Sequence, residues 1–226
     1  MEPARALSSP QDQVFSYPET LVARSQGRPK GERTRAQVQI AACEVLEGKG
    51  PQDLTVAAIC EKAGISNGTF YIYFADRTAL LEELLIGFVG FLQRTMRAAS
   101  WAGADDPERA ATTAYYELFR QNRGLMRCLV HHLDSFPEAK EAFHRLNRDW
   151  LDAVVTSIQR RLRREGRADA VPREELLRRA YALGGMVDQY LSGLLLSEDP
   201  ALTAISQDRA AVLDTLTLIW KRGMAI

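Results

Sequence analysis

Reactive and metal-binding side chains are scarce in this chain of 226 residues, which holds three histidines and three cysteines. Cys43, Cys60 and Cys128 form no CxxC pair, and each falls on an apolar position of an expected helix. Buried free thiols in a reducing compartment are the ordinary outcome of that pattern, ahead of disulfides or a redox sensor. His131 and His132 are adjacent, so on a helix they point about 100° apart, and no HxxxH pair joins them or His144 with Asp134 on one face. No metal and no cofactor are expected. The chain also lacks a GxSxG, a phosphate-cradling glycine loop and a nucleophile beside a placed base, which argues against an enzyme. No apolar run approaches about 18 residues, and residues 1–23 have no signal-like stretch, so a soluble cytoplasmic protein with no membrane partner is expected. Net charge is missing too, with 29 basic residues against 29 acidic ones. A neutral whole does not announce a polyanionic partner, so the distribution of charge matters more than its sum.

What is present is helix. Apolar residues make up 46% of the chain, enough for one large core or two small ones. There is no strand pattern, no internal repeat and no low-complexity tract. The expectation is an all-α fold, with an N-terminal three-helix helix-turn-helix domain and a C-terminal helical domain for ligand binding and dimerisation. Residues 1–23 read as a disordered tail, 24–77 as a basic arm and helix-turn-helix, and 78–226 as the helical remainder.

The most informative stretch runs from Leu54 to Leu85. Thr55 is placed to cap a helix carrying Val56, Ile59, Cys60 and Ala63 at helical spacing. Gly64 supplies the positive φ that leaves this helix, and Ser66 can cap the next one. On that second helix Phe70, Tyr73 and Phe74 fall at i, i+3, i+4 and face inward, which puts Asn67, Gly68, Thr69 and Tyr71 outside. The outer face is small, polar and free of acidic residues, as a helix entering a major groove requires. The plainer reading is a pair of short core helices with a polar exterior. Upstream, five cations from Arg24 to Arg35 stand against Glu32, an excess of four. Within it the segment Gly27 to Arg35 reads as a flexible arm able to follow a minor groove or phosphates, or as a solvated leader to the first helix, which is expected from about Arg33 to Gly48.

The segment GISNGTFYIYFADRTALLEELL resembles the tetracycline-repressor (TetR) family of bacterial transcription regulators, over roughly residues 33 to 85. That resemblance implies a homodimer on a palindromic double-stranded DNA operator, most simply a ligand-responsive repressor. The arm's Arg28, Lys30, Arg33 and Arg35 are candidates for phosphates on their charge, and, carried over residue by residue from the family pattern, Thr55 would meet a phosphate at a helix start. Ser66, Asn67, Gly68 and Thr69 would approach base edges or phosphates, and Tyr71, Tyr73 and Arg77 would hold the backbone. Asn67 and Ala75 stand where many members have lysine, so anchoring would rest more on Arg77 and the arm.

Beyond Asp76 the chain reads as helices of about 76–99, 107–121, 125–133, 137–165, 172–195 and 207–224, with Pro200 ending the penultimate region. Arg160, Arg161, Arg163 and Arg164 suit a helix C-terminus. The middle helices carry Tyr115, Phe119, Met126, Phe143, Trp150, Met186 and Tyr190, which core packing would explain and which could also line a pocket. The resemblance implies a small hydrophobic or aromatic effector there. The last two helices are more apolar than a monomer needs, and Leu183, Gly184, Val187, Leu191, Leu194, Val212, Leu216, Ile219 and Trp220 are expected at a twofold four-helix interface. An effector-less architectural or protein-interaction helix-turn-helix protein is the alternative.

Overall fold

The computed structural model describes residues 14–48, 51–101, 105–167 and 171–224, and among these there are helices and no strand. In chain order they are α1 (Tyr17–Ser25), α2 (Lys30–Gly48), α3 (Val56–Ala63), α4 (Asn67–Tyr73), α5 (Arg77–Trp101) and α6 (Pro107–Gln121). Then come α7 (Arg123–His131), α8 (Pro137–Arg164), α9 (Arg173–Leu195), α10 (Pro200–Ile205) and α11 (Arg209–Met224).

The expected N-terminal tail is corrected from residue 17 onward; residues 1–13 lie outside the described residues. Ser16 caps α1 by accepting the Glu19 amide, and Tyr17 and Leu21 are buried. The Tyr17 ring sits 5.6 Å from Phe88 and 5.4 Å from Phe91. Asn122 fixes the approach to this helix, since its Oδ1 accepts the Tyr17 amide at 2.8 Å while its Nδ2 donates to the Phe15 carbonyl at 2.8 Å. A nine-residue helix is marginal alone, and this one is held by what it packs against.

The basic arm is corrected as well. Helix α2 begins at Lys30, so Lys30, Arg33 and Arg35 stand on a helix and only the few residues around Gly27, which has φ of 72°, form a connector. Pro200 opens α10 rather than ending the region, with Asp199 accepting the Ala201 and Leu202 amides. Gly124, in the gap expected between the helices of about 107–121 and 125–133, lies in the first turn of α7. A methyl group there would come within 2.5 Å of the Leu46 backbone, so this glycine lets α7 approach the end of α2.

One apolar core runs from the first helices into the large helical domain, taking in Leu46, Phe70, Leu84, Phe88, Phe119 and Leu129 without a break at residues 77–78. A second, smaller core joins the C-terminal part of α8 to the start of α9 through Leu151, Val155, Leu162, Leu176 and Ala180, with Met224 of α11. The fold positions a small head on one large core, with a separate cluster at the far end.

The expected interface list is partly corrected. Leu191, Val212 and Leu216 are sealed inside the protomer's own core, and Val187 and Leu194 are buried there too. The reason is that α9 and α11 also pack on α6, which uses their most apolar stripe. Ile219 is exposed, Leu183, Gly184 and Trp220 are half-buried, and the neighbouring exposed positions on these helices are Tyr181, Ala182, Gly185, Ala211, Thr215 and Leu218.

Candidate DNA-reading head and ligand cavity

The turn between α3 and α4 is built as its residues dictate. Thr55 Oγ1 accepts the Ala58 amide at 3.1 Å, Gly64 takes φ of 65° to end α3, and Ser66 Oγ accepts the Thr69 amide at 3.1 Å. Phe70 and Phe74 are buried and tilted against each other at 5.8 Å, which fixes the inner side of α4. Asn67, Gly68 and Tyr71 are exposed on the opposite side. Ile72, which the sequence reading passed over, is 76% exposed on the same short helix. Counting it as apolar hid it, although its position two residues from each of the inward Phe70 and Phe74 already pointed it outward.

Several of the residues expected at DNA also hold the head together. Thr69 is half-buried, and its hydroxyl pairs with Ser66 Oγ at 3.0 Å, so the two act first as a capping pair. Tyr73 is half-buried, with its ring beside Gly31. Arg35 donates from Nη1 to the Tyr73 carbonyl at 2.9 Å, lies 4.4 Å over the Phe74 ring and is ion-paired with Glu83 of α5. Arg77, at the start of α5, donates to the Leu54 carbonyl at 3.0 Å and braces the loop before α3. Arg28, Lys30 and Arg33 are exposed on the connector and the first turn of α2, with Arg28 3.9 Å from Glu32.

The large domain holds a cavity of about 1400 Å³, partly open to solvent and bounded by α5, α6, α8, α9 and α11. Tyr115, Phe143 and Trp150 line it as expected. Phe119 and Met126 do not; Phe119, one turn further along α6 with its ring 5.2 Å from that of Tyr115, and Met126 of α7 are sealed in the core, and Met186 and Tyr190 pack against that core. Trp220, expected at the interface, lines the cavity, as do Val89, Leu92 and Met96 of α5 and Leu146 of α8. The polar group missed by the sequence reading is Asp188 of α9. Its Oδ1 accepts the Tyr115 hydroxyl at 2.7 Å, and among the described residues it has no ion pair. Burial raises its carboxyl above the usual carboxylate range, only partly opposed by the tyrosine bond. The same burial, with the Asp188 charge, pushes the Tyr115 phenol far up.

The thiols take no part in either site. Cys43, Cys60 and Cys128 are free and buried, and burial pushes the Cys128 thiol up to about 12, so it is protonated and inert at neutral pH.

Residues 40–84 match the family model for bacterial regulatory proteins of the tetR family, and residues 108–224 match the C-terminal domain of the transcriptional regulator EthR. The HTH-type transcriptional regulator EthR of Mycolicibacterium smegmatis is 27% identical over 208 residues, covering 91% of this chain and 92% of that one. Among solved structures, a transcriptional regulator from Pseudomonas aeruginosa PAO1 superposes with a TM-score of 0.67 at 20% identity, covering 87% of this chain and 92% of that chain. FadR from Bacillus subtilis, in complex with stearoyl-CoA, superposes with a TM-score of 0.62 at 18% identity, covering 83% and 97%.

Proposed function

Because the chain belongs to the TetR family of bacterial regulatory proteins, with a C-terminal domain of the EthR kind, we propose that it is a homodimeric repressor released from a palindromic operator when a small apolar molecule fills its cavity. That it is a DNA-binding transcriptional regulator rather than an enzyme follows from its relatives. The finer reading rests chiefly on α5. One end of this helix braces the head, through Arg77 on Leu54 and Glu83 on Arg35, and the same helix walls the cavity with Val89, Leu92, Met96 and Arg97. A molecule wedged beside α5 can bias the tilt of the head, provided that it binds the two arrangements with different affinity. An architectural protein with no effector would have no use for so large a space in its middle.

In this reading Arg28, Lys30 and Arg33 face phosphates, with Tyr71 alongside them, while Asn67 reads a base edge and Ile72 can meet a thymine methyl. Footprinting on the DNA flanking its own gene should show a protected palindrome. Asn67→Ala should cost about 1–3 kcal/mol of discrimination against random DNA. Unchanged discrimination would remove Asn67 from base reading, and protection without dyad symmetry would overturn the dimeric reading.

A further inference from the structure

Asp188 is an acidic group in the wrong surroundings for one. It shares its cavity with Tyr115, Phe143, Trp150 and Trp220, and its one hydrogen-bond partner is the neutral Tyr115 hydroxyl. A carboxylate offers about four acceptor positions, so one hydroxyl leaves most of them facing the space. The other charges around the cavity are placed differently. On α8, Asp149, Asp152, Arg160 and Arg161 are exposed, with Asp152 paired to Arg173. On α11, Lys221 reaches out to Asp106 at 2.5 Å. Glu108 of α6 and Arg97 of α5 stand at the wall part-buried, as Asp188 itself does. A charge withdrawn from water without an ion pair costs free energy, and the cost falls when a cation arrives. Aromatic faces around the same space attract cations further, more strongly when desolvated.

We propose that this cavity is built for a lipophilic cation, an amine or quaternary ammonium whose charged head lies against the Asp188 carboxylate among the aromatic rings and whose apolar body fills the rest. The proposal rests on the effector reading above and adds the chemical class of the effector. At about 1400 Å³ the cavity exceeds the 300–1,000 Å³ of an ordinary ligand site, leaving room for a long body behind the head. The raised carboxyl of Asp188 agrees with a site whose charge is not compensated until a ligand enters. Arg97 sets the competing case, because its Nε is buried without a partner and would welcome an acceptor on an anionic ligand.

Three ten-carbon probes separate these cases: decyltrimethylammonium, 1-decanol and decanoate, each below its micelle concentration. Binding is followed by quenching of the cavity tryptophans Trp150 and Trp220 and by release of the intact protein from its footprinted DNA. The ammonium should bind at least ~10-fold more tightly than the other two, about 1.4 kcal/mol. Asp188→Asn should erase that preference while leaving decanol within about threefold, on the view that only the charge pair is lost. If Asp188→Asn does not fold, Tyr115→Phe serves, since it leaves the carboxylate in place and should keep or sharpen the preference. A preference lost in Tyr115→Phe, or retained in Asp188→Asn, overturns the proposal. Decanoate binding tightest would transfer the site to Arg97. If decanol alone bound and released DNA, the effector reading would stand without this inference, and if no probe bound or released DNA both would fall.

Discussion

The guanidinium of Arg35 is occupied by the protein, between the Tyr73 carbonyl, the Phe74 ring and Glu83. Arg33, two residues earlier on the same helix, is exposed. Their substitution should therefore read out differently. Arg33→Ala should lower the log–log salt slope of DNA binding by up to about 0.9, the value for one lost phosphate contact. Arg35→Gln should leave the slope nearly unchanged and lower the melting temperature, because it frees the end of α4 from α2 and α5. Gel shifts over a salt series, with a melting curve for each variant, check the pair. Asp188 carries a second residue-level expectation. Its carboxyl is raised by burial, so folding is favoured while the group is protonated. That advantage is complete below the unfolded-state pKa of about 3.9 and is lost as pH rises through the higher folded-state value. Asn cannot ionise, so Asp188→Asn should melt higher than the wild type at neutral pH, and the two should converge as pH falls towards 4. A gain that stayed constant with pH would show that the charge of Asp188 is not what destabilises the unliganded protein.

At the scale of helices, head and large domain meet at more than the single lever α5. Helix α7 abuts the end of α2 at Gly124, whose amide also donates to Glu47 Oε2 at 2.9 Å. Helix α1 packs on α2 and sends Tyr17 to α5 at Gly87, where a methyl group would come within 2.2 Å of the tyrosine oxygen. Gly124→Ala should therefore cost about 1–3 kcal/mol by overpacking against backbone that cannot rotate away. For a chain of this size that is a fall of about 2–4 °C per kcal/mol, measurable by calorimetry. These contacts also mark what could be read in advance. Caps and turns were legible, because Thr55, Gly64 and Ser66 act within three or four residues of themselves. So were most helices, through proline starts and apolar spacing. Helix α1 was not, since it is held by packing on α2 and by Phe88, Phe91 and Asn122, the last three about 70 to 105 residues away. For the same reason the sequence could nominate Tyr115, Phe143 and Trp150 for the cavity but not separate them from Phe119 and Met126. All five satisfy the same apolar pattern, and only the packing of the surrounding helices decides which of them meets the space and which is sealed one turn away. Asp188 escaped notice because a lone acid on a helix is ordinarily a solvated one.

At the scale of the assembly, two reading helices can engage one side of a duplex only when held about 34–36 Å apart or a multiple of that, so a dimer must fix the distance. The face left for this on α9 and α11 is narrower than apolar counting suggests, since Leu191, Val212 and Leu216 are already buried within the protomer. What remains is Tyr181, Leu218 and Ile219 among the small residues Ala182, Gly185 and Ala211. Gly184 and Gly185 have open space where a side chain would stand, which leaves room for a second helix pair, although both glycines and Tyr181 also border the cavity. Leu216→Asp is therefore a poor probe of dimerisation, because it places a charge in the protomer core and should unfold the chain. Leu218→Glu with Ile219→Glu is the sound probe, since both side chains are about half exposed and the double variant should keep its helical content and melting behaviour as a monomer. Sedimentation should show half the wild-type mass, and operator affinity should fall towards that for random DNA, commonly 10³-fold or more weaker. A folded monomer that kept wild-type operator affinity would sink the spacing argument, and with it the control of DNA binding by a ligand that tilts α5.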